Sequence, residues 1–82
     1  MTDIVVKLFG PVRDIVGEEE FHFKVSPDET AATVFEALCA RYPDLSRWRP
    51  VVRLAVNLEY VQFNHHVSGG DEVCIIPPVS GG

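Results

Sequence analysis

Residues 33–43, TVFEALCARYP, decide the fold, because the spacing of apolar side chains changes there from alternating to helical. One face of the predicted helix carries its apolar side chains at helical intervals: Val34, Phe35, Leu38, Cys39 and Tyr42. Thr33 and Glu36 fit a capping box at its start, and an earlier start near Thr30 stays open. Pro43 ends the helix, because the residue before a proline disfavours helical geometry.

Two strands are predicted before this helix. Residues 3–9 and 20–25 alternate from one side of the chain to the other. Their predicted core-facing side chains are Ile4, Val6, Leu8, Phe21, Phe23 and Val25. Gly10-Pro11 ends the first strand, and a short segment over residues 12–17 connects it to the second as an antiparallel hairpin. Residues 27–29, Pro-Asp-Glu, then break the pattern.

Three further strands are predicted after the helix, at residues 52–57, 60–63 and 72–76. Trp48, in the connection before them, is expected to pack back onto the core. The order is therefore β-β-α-β-β-β. It predicts an α+β domain, in which a mixed sheet of about five strands carries one main helix on one face.

Composition limits the classes of partner. The chain has 82 residues, which fits a single domain, and its net charge of −5 disfavours nucleic acid and anionic membranes. A basic protein surface fits this charge better. Cys39 and Cys74 lie in apolar runs and are interpreted as small buried hydrophobes rather than a disulfide. We expect a cytoplasmic protein, because no signal-peptide pattern and no apolar run near the roughly 20 residues of a membrane span occur.

Three polar features lack the pattern of a catalytic site. His65-His66 has neither helical ligand spacing nor a Cys or acidic partner at a suitable interval, so a solvated turn is expected. The three glutamates at residues 18–20 fit a solvated strand edge. Gly69-Gly70 precedes a strand and lacks the spacing of a phosphate-binding loop. The chain is therefore predicted to bind no metal or cofactor and to catalyse nothing alone.

The C-terminus is the best candidate site. An extended tail is predicted to follow a domain of residues 1–76, and it consists of Pro77, Pro78, Val79, Ser80, Gly81 and Gly82. The two prolines stop the last strand, and six extended residues reach about 20 Å at roughly 3.3–3.6 Å each. Gly81-Gly82 leave the terminal carboxylate unhindered for a narrow channel. Two glycines alone fit a frayed chain end equally well, but the diproline directly after a strand favours a functional tip.

A second candidate is an exposed apolar patch. Phe9 and Ile76 each end a strand on the side opposite the core-facing residues, and Tyr60 is a possible third member. Adjacent outward Phe, Ile and Tyr side chains mark a partner surface. Scattered surface hydrophobes are the alternative, because strand adjacency is not determined by the sequence.

Several segments of the chain resemble one known family. They are Leu8-Phe9, Val12-Arg13 with Gly17, Leu54-Ala55-Val56-Asn57, Gly70-Asp71-Glu72-Val73 and the ending PPVSGG. The chain is similar in these segments to the small, sulfur-carrier subunits of molybdopterin synthase. The resemblance covers essentially the whole chain and implies the ubiquitin-like β-grasp fold.

The resemblance also implies a sulfur cycle at Gly82. A ubiquitin-activating-like adenylyltransferase uses ATP to adenylate the Gly82 carboxylate, and sulfur from a persulfide donor then replaces AMP to give a thiocarboxylate. The tail enters the large catalytic subunit and donates this sulfur to cyclic pyranopterin monophosphate. Two small subunits bind a dimer of large subunits as a heterotetramer, through positions that match Phe9, Tyr60 and Ile76, with Arg13 as a further expected contact. Ile75-Ile76 departs from the aromatic residues of some members.

Two alternatives stay open. Relatives with the same fold and Gly-Gly ending supply sulfur for thiamine, cysteine or tRNA thiolation. A ubiquitin-like binding module, or a modifier that conjugates through Gly82 to lysines, is a different class, and a module without carrier chemistry would tolerate a C-terminal extension.

Overall fold

A computed structural model describes residues 2–26 and 28–78 of the chain. The elements in chain order are strand β1 (Thr2–Leu8), helix α1 (Gly10–Val16), strand β2 (Glu20–Val25), helix α2 (Ala31–Arg41), a 3₁₀ helix (Pro43–Trp48), and strands β3 (Arg53–Val56), β4 (Glu59–Val61) and β5 (Glu72–Ile76). The predicted order of five strands with one main helix is confirmed. Pro27 and the tail residues 79–82 lie outside the described residues, so the division into domain and tail stays a prediction.

The strands form one mixed sheet in the order β2-β1-β5-β3-β4. β1 pairs antiparallel with β2, as predicted, and β3 pairs antiparallel with β4 and β5. β1 and β5 are parallel, with Leu8 opposite Ile75. The carboxyl ends of these two central strands therefore lie side by side at one edge of the sheet.

The core lies between one face of the sheet and helix α2. Its fully enclosed side chains include Ile4, Val6, Phe35, Leu38, Val73 and Ile75. Phe21, Phe23 and Trp48 are half-buried and pack against this core, as predicted. The strand residues that alternate with the core residues lie on the other face of the sheet; they include Lys7, Arg53, Ala55, Tyr60, Glu72, Cys74 and Ile76, and Phe9 continues this side beyond β1. We call this other face the open face.

Helix α2 begins earlier than the Thr33–Glu36 pattern predicts. Thr30 is the N-cap, with an extended backbone, and forms a reciprocal capping box with Thr33. The Thr30 N–H donates to Thr33 Oγ1 at 2.8 Å, and the Thr33 N–H donates to Thr30 Oγ1 at 3.3 Å. Glu36 instead accepts from Arg49 at 3.1 Å. The capping box predicted at Thr33 and Glu36 is wrong, and the alternative start near Thr30 is confirmed.

The connection predicted over residues 12–17 is in fact helix α1. Pro11 suits its first turn, Val12 and Val16 bury one face at i, i+4 spacing, and Gly17 ends it in a left-handed conformation. β4 ends at Val61 rather than at residue 63. Phe63 still packs on the core, edge-on to Phe35 with ring centroids 6.3 Å apart.

Candidate functional site

The root of the tail is held against the start of helix α1. β5 ends at Ile76, and the half-buried Pro77 follows, with Pro78 exposed. Gly10 has a φ of +56°, and a Cβ on it would lie 3.2 Å from Pro77 Cγ. Glycine therefore meets two demands here, a left-handed backbone and close approach to the proline. Val79, Ser80, Gly81 and Gly82 lie outside the described residues, so their predicted extension stays a prediction.

Gly10→Ala is expected to destabilise the domain more than Gly17→Ala. Left-handed geometry costs an L-residue about 1–2 kcal/mol at either site. Gly17, at φ +86°, has no atom within 4 Å of its added Cβ, whereas Gly10 meets Pro77. Urea unfolding of both variants measures the difference. Equal losses of unfolding free energy would show that the Gly10–Pro77 contact contributes nothing.

The strand register places two of the predicted patch residues, Phe9 and Ile76, near the same edge as the tail root. Phe9 continues the extended backbone of β1 and follows Leu8, whose partner is Ile75, so Phe9 lies beside Ile76. Ile76 is also opposite Arg53 of β3. Phe9 is 45% exposed, Tyr60 is 67% exposed and Ile76 is half-buried.

Phe9, Ile76 and Arg53 form one row across the open face, and a second row lies next to it, farther from the tail root. In register across three strands, Cys74 is opposite Ala55 and Ala55 is opposite Tyr60. Cys74 and Ala55 are buried but belong to no core cluster, so they form a floor beneath their larger neighbours. The open face therefore holds Phe9, Ile76, Arg53 and Tyr60 around a floor of small side chains.

Sequence reasoning placed Cys74 on the same face as Ile76 but left Arg53, Ala55 and Cys74 out of the candidate patch. The available signal was the alternation of β3 and β5. Arg53 and Ala55 alternate with the buried Leu54 and Val56, and Cys74 lies between the buried Val73 and Ile75. Which of these residues meet depends on strand order, which the alternation does not specify.

An ion pair flanks the floor. Lys7 Nζ lies 3.3 Å from Glu72 Oε2, and the Cys74 thiol lies 3.8 Å from Glu72 Oε1. The hydrogen bond and charge of Glu72 raise the pKa of Lys7, while burial and then the Glu72 charge raise the pKa of the Cys74 thiol. Cys74 therefore stays a protonated thiol and is a poor nucleophile. Cys39 is also free and is half-buried.

Arg13 lies on helix α1 next to Phe9. Its guanidinium pairs with Glu19 at 3.5 Å and with Asp14 at 3.9 Å. A shallow cavity of about 290 Å³ separates it from the strand edge, lined by Lys7, Leu8, Phe9, Arg13, Glu19 and Glu20. The predicted contact residue thus borders the open face from the side, and the glutamates of residues 18–20 are exposed.

The remaining polar candidates are solvent-exposed. Both histidines of the His65-His66 pair are exposed, and His66 makes a single backbone bridge with Thr30. Over residues 2–26 and 28–78, no group of three or more His, Cys, Asp or Glu side chains is arranged to hold a metal ion. In the same ranges, no helix has the length and apolar character needed to span a membrane.

Comparisons with known proteins bear on the whole chain. The model of the ThiS family matches residues 6–82. An Arabidopsis thaliana protein named molybdopterin synthase sulfur carrier subunit is 35% identical over 80 residues, covering 98% of this chain and 83% of that protein. The crystal structure of SAMP1 from Haloferax volcanii matches with a TM-score of 0.86 and 27% identity, covering 98% of this chain and 99% of that one.

A solved complex is also similar. It is the protein–protein complex of subunits 1 and 2 of molybdopterin-converting factor from Helicobacter pylori 26695, with a TM-score of 0.69 and 27% identity. The match covers 99% of this chain and 100% of that one. With its five-stranded mixed sheet and one main helix on one face, the chain has the ubiquitin-like β-grasp fold predicted from the sequence.

Proposed function

The chain belongs to the ThiS family, and from this membership we propose that it carries sulfur on the Gly82 carboxylate for molybdenum cofactor biosynthesis. One structural observation supports the proposal above the others. The parallel pairing of β1 and β5 puts the tail root at Pro77, the exposed Phe9 and the half-buried Ile76 at the same sheet edge. The tail therefore starts next to the surface that a partner covers when it binds this edge of the open face.

The proposed chemistry begins with activation of the carboxylate. A carboxylate is a poor electrophile and must first gain a good leaving group. In an adenylyltransferase its oxygen attacks the α-phosphorus of ATP, pyrophosphate leaves, and an acyl-adenylate forms. The terminal sulfur of a persulfide then attacks the acyl carbon, and AMP leaves. A second thiol then attacks the donor's sulfur in this acyl disulfide and forms a disulfide with the donor, and the thiocarboxylate on Gly82 leaves. The absence of a side chain on Gly82 leaves its carbonyl carbon open at each step.

The chain itself is proposed to be the non-catalytic small subunit of a synthase. ATP is bound by the activating enzyme, and the large subunit supplies the groups that act on cyclic pyranopterin monophosphate. The similarity to a subunit of the Helicobacter pylori complex supports a large-subunit partner. Phe9, Tyr60, Ile76 and Arg13 are the proposed contact residues, and the assembly is a heterotetramer of two small and two large subunits.

Intact-mass measurement tests the carrier chemistry. After co-expression with the activating enzyme and a sulfur source, we expect a gain of about 16 Da, oxygen replaced by sulfur, at the unhindered terminal glycine. Tandem fragmentation localises the gain to Gly82. The same co-expression with an activating enzyme that cannot bind ATP is the control. An unchanged mass in the active system contradicts the proposal.

A second candidate function is protein modification, because the chain is also similar to SAMP1, a small archaeal modifier protein. A modifier forms an isopeptide bond between Gly82 and a lysine of another protein. Its product is a ladder of larger conjugates, which a denaturing gel separates from the free chain. Conjugates that form in place of the thiocarboxylate favour this second function, whereas the thiocarboxylate without conjugates favours the carrier.

A further inference from the structure

Arg53 is an unusual residue on the open face. It is the exposed first residue of β3 and lies opposite Ile76. Two other cations of this face have carboxylate partners, Lys7 with Glu72 and Lys24 with Asp3, each at 3.3 Å. Arg53 forms no ion pair with any residue of the described ranges. Its charge is therefore balanced by no carboxylate of the described residues.

Tyr60 holds the Arg53 side chain over its ring. The guanidinium carbon lies 6.0 Å from the ring centroid, at the outer limit of a cation–π contact. Stacking uses the flat face of the guanidinium and leaves its N–H donors at the rim free. The contact also lowers the conformational entropy that the Arg53 side chain loses when a partner binds. Arg53 therefore lies near the Tyr60 ring in the free domain.

A partner that covers Phe9, Ile76 and Tyr60 also removes water from Arg53. A buried cation without a partner is strongly unfavourable, because its hydration is lost and nothing replaces it. A carboxylate offers the best replacement, since its two oxygens match two guanidinium N–H donors. We propose that the partner protein of the open face presents an Asp or Glu side chain to Arg53, and that this ion pair selects the partner and its orientation. The inference rests on the proposed docking function of this face.

The charges around Arg53 explain why such a pair gives specificity. The chain has a net charge of −5, so long-range attraction favours a basic partner surface. A uniformly basic surface, however, places a positive charge against Arg53. A partner with one acidic side chain opposite Arg53 is therefore favoured. Its orientation on the open face is also fixed, because other orientations bring like charges into contact.

Calorimetric titration of the large synthase subunit encoded in the same genome tests the inference. Four proteins are compared at low and at high salt: the wild type, Arg53→Lys, Arg53→Met and Arg53→Glu. Arg47→Met is the matched control, since Arg47 is an exposed arginine of the 3₁₀ helix and not of the sheet. The unfolding midpoint of each variant verifies that the domain is intact.

We expect Arg53→Met to weaken binding at least about 30-fold, because the partner carboxylate is left buried without a cation. Arg53→Glu weakens it further, since two carboxylates then meet, and Arg53→Lys lies between the wild type and Arg53→Met. Arg47→Met binds like the wild type. The difference between wild type and Arg53→Met shrinks at high salt.

The inference is overturned if Arg53→Glu binds as tightly as Arg53→Met or tighter, because no carboxylate then opposes this position. It is also overturned if all Arg53 variants bind like the wild type. Both results leave the proposed carrier function standing, because the wild type still binds. A wild-type chain that does not bind the large subunit at all contradicts the docking proposal itself.

Discussion

Deleting Gly82, or adding one residue after it, is expected to abolish sulfur transfer while folding and large-subunit binding survive. The proposed chemistry takes place on the terminal carboxylate, and either change moves that group by one residue from its proposed reactive position. Among the described residues the buried core extends no further than Ile75, so we expect the changes to leave the fold of the domain intact. Molybdopterin synthesis in a reconstituted system and the intact mass after activation measure the loss.

Val79→Ala is the matched control for these tail variants. It shortens a side chain of the tail but keeps the length of the tail and its terminal Gly81-Gly82. We expect it to be adenylated and to gain sulfur like the wild type. Molybdopterin synthesis by the extended or shortened chain would contradict the carrier proposal, whatever the effect of Val79→Ala.

Ile76→Asp is expected to weaken binding to the large subunit by about 100-fold or more, because a carboxylate replaces an apolar contact at the centre of the covered face. Ile76 is opposite Arg53 and directly follows Ile75, whose partner Leu8 directly precedes Phe9. It is half-buried already in the free domain. Phe9→Ala removes the neighbouring ring and is expected to act in the same direction with a smaller effect. Calorimetric titration measures both.

Two controls separate the causes of this loss. The carboxylate introduced at position 76 can pair with Arg53, so Ile76→Ser shows how much of the effect comes from lost apolar contact alone. Leu58→Asp adds the same charge at a residue that is 84% exposed, in the turn at the other end of β3. It is expected to bind normally. Unchanged affinity for both Ile76→Asp and Phe9→Ala would remove the open face as the docking surface.

The strands and the main helix were predictable because each buries one regular stripe. Alternation in β1 and β5 identified the inward Leu8 and Ile75, and therefore the outward Phe9 and Ile76 beside them. The resemblance to the sulfur-carrier family is also confirmed. Helix α1 was not predicted, because only two of its side chains are buried and it begins at Gly10-Pro11, residues that usually end an element.

The composition of the open face depends on tertiary structure. β5 is inserted between β1 and β3, which are far apart in sequence, and this insertion alone brings Ile76 next to both Phe9 and Arg53. The sequence pattern gives the side of the sheet that each residue occupies, but not its neighbours on other strands. Whether Arg53 has a carboxylate partner is likewise a property of the assembled sheet. The role of the tail residues, including Gly82, stays a prediction.

The central position of β5 has a mechanical consequence for the carrier. A pull on the tail acts along β5, and β5 is hydrogen-bonded to β1 on one side and to β3 on the other. The pulling force is therefore applied in shear. The backbone hydrogen bonds that join β5 to β1 and to β3 must then break together rather than one at a time. The tail, which we propose enters one enzyme after another, is thus anchored on a strand that is paired on both sides.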